Sequence, residues 1–146
     1  MIKVDTKPVE ITINSIEDLL DNTKAVLTEV SLFAKQLILQ RTSRGVDWKG
    51  VKFKNYNTFY AGVRHKAGRL TSHVDLFATG HMMGSLKTQV KEKTARLYFA
   101  SKLEAEKAGY HNAGDGVPER HFFDLNPADV SEAQEIVTEW FDNGIK

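Results

Sequence analysis

Apolar and polar residues alternate along Val9-Glu10-Ile11-Thr12-Ile13 at the period of a half-buried strand, with Pro8 where an opening strand residue tolerates it. Asn14 is followed three residues on by Glu17, and Ser15 by Asp18, so that side-chain oxygens can meet the orphaned N–H groups of a starting helix. Ile16, Leu19, Leu20, Val26, Leu27, Val30, Phe33, Ala34, Leu37 and Ile38 then recur at intervals of three and four. That stripe predicts a helix of about seven turns, fading between Arg41 and Gly45. Leu86, Thr88 and Val90 alternate with Lys87, Gln89 and Lys91, and after Glu92-Lys93 the alternation resumes as Ala95, Leu97 and Phe99, which predicts a hairpin. The last helix has the clearest start. Asn126 is a good N-cap, Pro127 sits at N1, Asp129 favours the positive dipole end, and Val130, Ala133, Ile136, Val137, Trp140 and Phe141 make its core-facing stripe.

Between these elements the pattern is less regular. Residues 43 to 69 carry Gly, Asn, Lys and aromatics and are expected to form an extended, ordered loop, since Trp48, Phe53, Tyr56, Phe59 and Tyr60 bring burial areas foreign to a disordered segment. Leu70 to Met83 reads as mixed turn and short helix limited by Gly80 and Gly84, and Lys102 to Gly109 as a turn of helix before a Gly-rich turn. Arg120-His121-Phe122-Phe123 is expected to return as a strand. The sum is an α+β fold of one domain over residues 1 to 146: a long N-terminal helix and a C-terminal helix packed on a small, mainly antiparallel β-sheet.

Length and composition narrow the classes. A chain of 146 residues is long enough for its own core, and the absence of cysteine excludes a disulfide framework and a thiolate metal site. The N-terminal residues lack the apolar core of a signal peptide, and no run approaches the roughly 20 apolar residues that span a bilayer, so the expectation is a soluble protein without a membrane partner. The net charge of +1 conceals a strong asymmetry. Residues 35 to 102 hold 14 Lys and Arg against three Asp and Glu, whereas the segments before and after carry net charges of −3 and −7. Such polarity suits either a phosphate-bearing partner or head-to-tail packing between copies.

Catalytic patterns are weak. His65, His73 and His81 are spaced by eight, and eight residues turn a helix through about 800°, so successive rings drift about 80° and do not converge on a metal. Ser72, His73 and Asp75 are too close in sequence for a nucleophile, base and orienter, and no Gly-x-Ser-x-Gly elbow exists. Gly109 to Gly116 lacks the Gly-Lys-Ser/Thr ending of a phosphate loop. The expectation is no enzyme, no cofactor and no metal. The basic, aromatic segment from Trp48 to Arg69 is the best interaction candidate: Lys49, Lys52, Lys54, Arg64, Lys66 and Arg69 could face phosphates or a neighbour's acids while Tyr56, Phe59 or Tyr60 stack. Set against both is the plainer reading, aromatics in the core and lysines merely solvated.

Two stretches carry a resemblance. Leu76, Thr79, Gly80, Met83, Ser85 and Leu86 form the first; His111, Gly114, Pro118, Arg120, Phe122, Phe123 and Leu125 form the second. With the long helix, the Trp48 segment and the hairpin in the same order, the chain resembles the virion-morphogenesis or tail-completion family of tailed bacteriophages across roughly residues 9 to 141. Lys102 to Tyr110 departs from the family pattern, in which Tyr-Ala often stands directly before the His. The resemblance implies a non-enzymatic neck or head-tail connector component, a ring subunit in late virion assembly, with no cofactor. Its implied partners are other copies of itself, phage connector or tail-tube proteins, and DNA passing through a channel; its place is the virion, and the host cytoplasm during assembly. Within it Arg120 would hold a carboxylate, with an internal ion pair to Asp124 or another acid as the alternative, and one of Phe122 and Phe123 would enter the core while the other faces a partner or the opposite layer. The alternative function is a small nucleic-acid-binding module using residues 48 to 69.

Overall fold

The computed structural model describes residues 2–6, 9–13, 23–76, 80–140 and 142. In chain order the elements are β1 (Ile2–Thr6), β2 (Val9–Ile13), α1 (Thr23–Ser43), α2 (Thr58–Lys66), α3 (His81–Gly84), β3 (Leu86–Lys91), β4 (Thr94–Phe99), α4 (Lys102–Ala113) and α5 (Pro127–Glu139). The fold is α+β, with the long first helix and the C-terminal helix on a small antiparallel sheet. The strand order is β1-β2-β4-β3. The chain forms two compact units, both discontinuous in sequence: residues 1–37, 87–98 and 124–146 in the first, 38–86 and 99–123 in the second.

The first unit holds the sheet. Val9 pairs with Leu97 and Ile11 with Ala95 across β2 and β4, and all four side chains are fully buried, so the alternation seen in the sequence is the inner face of the sheet. Val26, Leu27, Val30 and Ala34 of α1 and Ala133 and Val137 of α5 complete this core. Asn126 and Asp129 form a full capping box at the start of α5, each side chain accepting from the other's backbone N–H at 2.9 and 2.8 Å. Trp140 at the end of α5 donates its indole N–H to Glu29 Oε2 of α1 at 2.6 Å. The helix start expected at Asn14 or Ser15, and the stripe positions Ile16, Leu19 and Leu20, lie outside the described residues.

In the second unit three expectations are corrected. The extended loop at 43–69 contains α2, opened by Asn57, whose side chain accepts from Tyr60 N–H. The turn of helix at 102–109 runs on to Ala113, taking in His111 and Asn112, and ends at Gly114 in the left-handed conformation (φ 75°). Arg120 to Phe123 is not a strand. The Asn112 side chain takes the place of a neighbouring strand there, accepting from Phe123 N–H at 2.9 Å and donating to Phe123 C=O at 3.3 Å, while His121 C=O accepts from Trp48 N–H. Phe122 and Phe123 are both buried, packed with Phe99 at ring separations of 6.2 and 5.0 Å, so neither is left to face a partner. The strand β1 was not foreseen, although Ile2-Lys3-Val4-Asp5-Thr6 alternates as β2 does. The hairpin stands where expected, with Glu92 at positive φ in its two-residue turn.

Candidate functional site

A groove of about 880 Å3 opens in the second unit. Its walls come from the loop before α2 (Lys54 to Asn57), from α2 itself, from Leu76, from His111 at the end of α4, and from Val117, Pro118 and Arg120 in the turn that follows. The basic aromatic segment and part of the family-like ending, some 60 residues apart in sequence, thus meet at one place.

Two arginines build the wall. Arg64 is 1% exposed; it donates from Nη2 to Asp75 Oδ1 at 3.1 Å and from Nε to Leu70 C=O at 2.9 Å. Arg120 is 5% exposed; Nε and Nη2 donate to Lys54 C=O at 3.0 and 2.8 Å, and Nη2 also reaches Asn55 C=O at 3.3 Å. Both guanidiniums lie over the Tyr56 ring, at 4.7 and 5.3 Å, and Tyr60 meets Tyr56 edge-on at 5.0 Å. Burial raises the Tyr56 phenol above its usual pKa despite the Arg64 charge, and lowers that of Arg120 despite the two tyrosines. Burial, and then the Arg120 charge, also lower the pKa of His111, which favours the neutral ring; its Nδ1 is buried without a hydrogen-bond partner. The groove is open at Phe59, which is 83% exposed, and at Tyr60 and Val117, beside the exposed polar residues Lys54, Asn55 and Asn57; Val63 of α2 is exposed as well but lies outside the lining.

The residues singled out as interface or DNA-facing separate into two kinds. Lys49, Lys52, Lys54 and Lys66 are exposed, Lys49 with its ammonium 5.0 Å from the Trp48 ring, and Arg69 is half-buried with its backbone N–H on Arg64 C=O. Arg64 and Arg120 are structural pillars instead, and Arg120 holds backbone carbonyls rather than an acid. Of the family-like positions, Thr79 lies outside the described residues. Gly80 (φ 85°) opens α3, Ser85 closes it with Oγ on Met82 C=O, and Leu76 and Leu86 are buried. Met83 lines a second cavity of about 350 Å3 with Leu39, Thr42 and Asp75. Gly114 supplies a left-handed turn, Pro118 lines the groove, and Leu125 is buried in the first unit. Sequence reasoning passed over Val117, Asn55 and Asn57 as groove residues; an apolar residue between Gly116 and Pro118 was the available sign for the first.

No catalytic line forms around Ser72. Its hydroxyl lies 3.2 Å from His73 Nδ1, but His73 Nε2 is 2.6 Å from Ser43 C=O and Asp75 is paired with Arg64, so the three groups do not act in series. Among the described residues no three His, Asp or Glu side chains converge as metal ligands, and no helix is long and apolar enough to cross a membrane. Comparison with known proteins adds nothing to this geometry: no protein-family model, no curated protein and no solved structure matches the chain.

Proposed function

We propose that the protein is a non-enzymatic assembly subunit of a tailed bacteriophage, acting in a ring at the head-tail junction as a neck or tail-completion component. The observation that carries the docking part of this reading is the groove's open aromatic rim. A phenylalanine left 83% exposed at the start of a helix, over a wall of arginines already engaged by the chain's own groups, is an arrangement for contact rather than for bond-making. The phage assignment rests on the ordered sequence resemblance alone.

Charge supports contact between copies. The second unit holds 11 Lys and Arg against six Asp and Glu, and the first holds nine against 13. A ring needs unlike patches to meet, and exposed Lys49, Lys52, Lys54 and Lys66 complement exposed Glu132, Glu135 and Glu139 on α5 of a neighbouring copy. The same lysines, beside Phe59, support a second reading as a nucleic-acid-binding module, which requires DNA affinity that falls steeply with salt. The deciding experiment deletes the gene from the phage or prophage that encodes it and views the lysate by negative-stain electron microscopy. Filled heads separate from tails, or tails of abnormal length, are the expected result; normal infectious virions would reject the assembly role.

A further inference from the structure

The two arginines of the groove differ in one respect. Arg64 has a carboxylate partner, whereas Arg120, also buried, has none among the described residues. Its Nε and Nη2 are met by carbonyl oxygens, which carry partial charge only, so its hydrogen bonds on that side are made while its charge is not balanced. Among the described residues nothing accepts from Nη1, and Arg120 lines the groove. Among the described residues no Asp or Glu lines the groove. A buried cation without a countercharge is costly in a medium of low polarity, and the missing charge can come from outside.

We propose that the groove binds a carboxylate of a protein partner, an Asp or Glu side chain flanked by an apolar residue, with Arg120 Nη1 as the donor and Leu76, Val117 and Pro118 as the apolar wall. The wall decides between peptide and nucleic acid. A phosphate chain repeats its charge at every step and needs a row of cations to follow it. Lys49, Lys52 and Lys66 lie outside the lining, Arg64 is already matched by Asp75, and what remains is one guanidinium without a carboxylate, one lysine, Lys54, the polar side chains of Asn55, Asn57 and His111, and apolar and aromatic surface. That suits a single anionic group with a greasy neighbour. The inference rests on the groove being a docking surface and not on the phage assignment.

The test titrates 15N-labelled protein with acetyl-Leu-Glu-Phe-amide, with its Gln counterpart, and with oligothymidylate. The acidic peptide is expected to shift the Val117, His111 and Arg120 resonances saturably with a Kd on the order of 1 mM, and the Gln peptide to bind about tenfold more weakly. Arg120→Ala removes the donor but also frees the Lys54 and Asn55 carbonyls, so Val117→Glu is the cleaner variant: it places a like charge on an exposed rim residue and is expected to abolish the peptide shifts with an unchanged Tm. Equal affinity for the two peptides, or no saturable shift at the groove, overturns the proposal. Tighter binding of oligothymidylate at the same resonances overturns it in favour of nucleic acid. The docking reading is tested separately by replacing Phe59 in the assembling virus, so that failure of one is distinguishable from failure of the other.

Discussion

Arginine is among the residues least often fully buried, which is why Arg64 and Arg120 read as surface cations in the sequence. What buries them is supplied from a distance: Asp75 stands 11 positions from Arg64, and the Lys54 carbonyl 66 from Arg120. Nothing in the local pattern announces either. The Arg64 pair makes a sharp prediction, because removing one partner leaves the other charged and buried. Asp75→Asn is expected to destabilise the protein by about 3 kcal/mol, read as a lower urea midpoint at unchanged slope. His111 makes another. Its pKa in the folded protein lies below 6.5, through burial and the Arg120 charge, so between the two values the unfolded chain binds a proton that the folded chain refuses. Its contribution to stability is therefore full above about pH 6.5, falls as the pH drops toward the folded value, and levels off beneath it. Urea unfolding across that range should show a shallower acid loss in His111→Gln than in the parent.

Elements whose causes are local were legible. The capping box at Asn126 and Asp129 with Pro127 between them is written in four consecutive residues, and the structure forms it. Asn126→Ala should cost about 1 kcal/mol, measured by thermal or urea unfolding. The helix α2 was not legible, because its buried residue is Arg64 while Phe59 and Val63 face outward, the reverse of the pattern that betrays an amphipathic helix. Arg120 to Phe123 is not the strand expected, because its backbone is paired by a side-chain amide and a tryptophan N–H, which no periodicity encodes. Two glycines test how the turn after α4 is held. A Cβ at Gly114 would stand 2.9 Å from Glu119 Cβ and 3.1 Å from its backbone, while one at Gly116 meets nothing within 4 Å. Both have positive φ, so Gly116→Ala should cost about 1 kcal/mol from conformation alone, and Gly114→Ala measurably more.

At the scale of the molecule, the basic middle of the chain is divided between the two units. Lys87, Lys91 and Lys93 belong to the hairpin in the first unit, and β3 is an edge strand of the sheet, where exposed lysines discourage pairing with another chain. Those charges need no partner to explain them. What remains for contact is the set around α2 in the second unit, and its distinguishing feature is apolar. Phe59 contributes little to the fold, being exposed, so Phe59→Ser should leave stability within about 0.5 kcal/mol of the parent. If the groove is a docking surface in an assembling particle, the same substitution should lower the yield of joined particles, and a charge reversal at Lys52 and Lys54 should lower it further at low salt than at high. A matching reversal at Arg64 would say nothing of docking, since that side chain is part of the wall itself. Stable protein with undiminished assembly in Phe59→Ser would remove the reason for regarding the rim as a contact, and would leave the lysines as a solvated face.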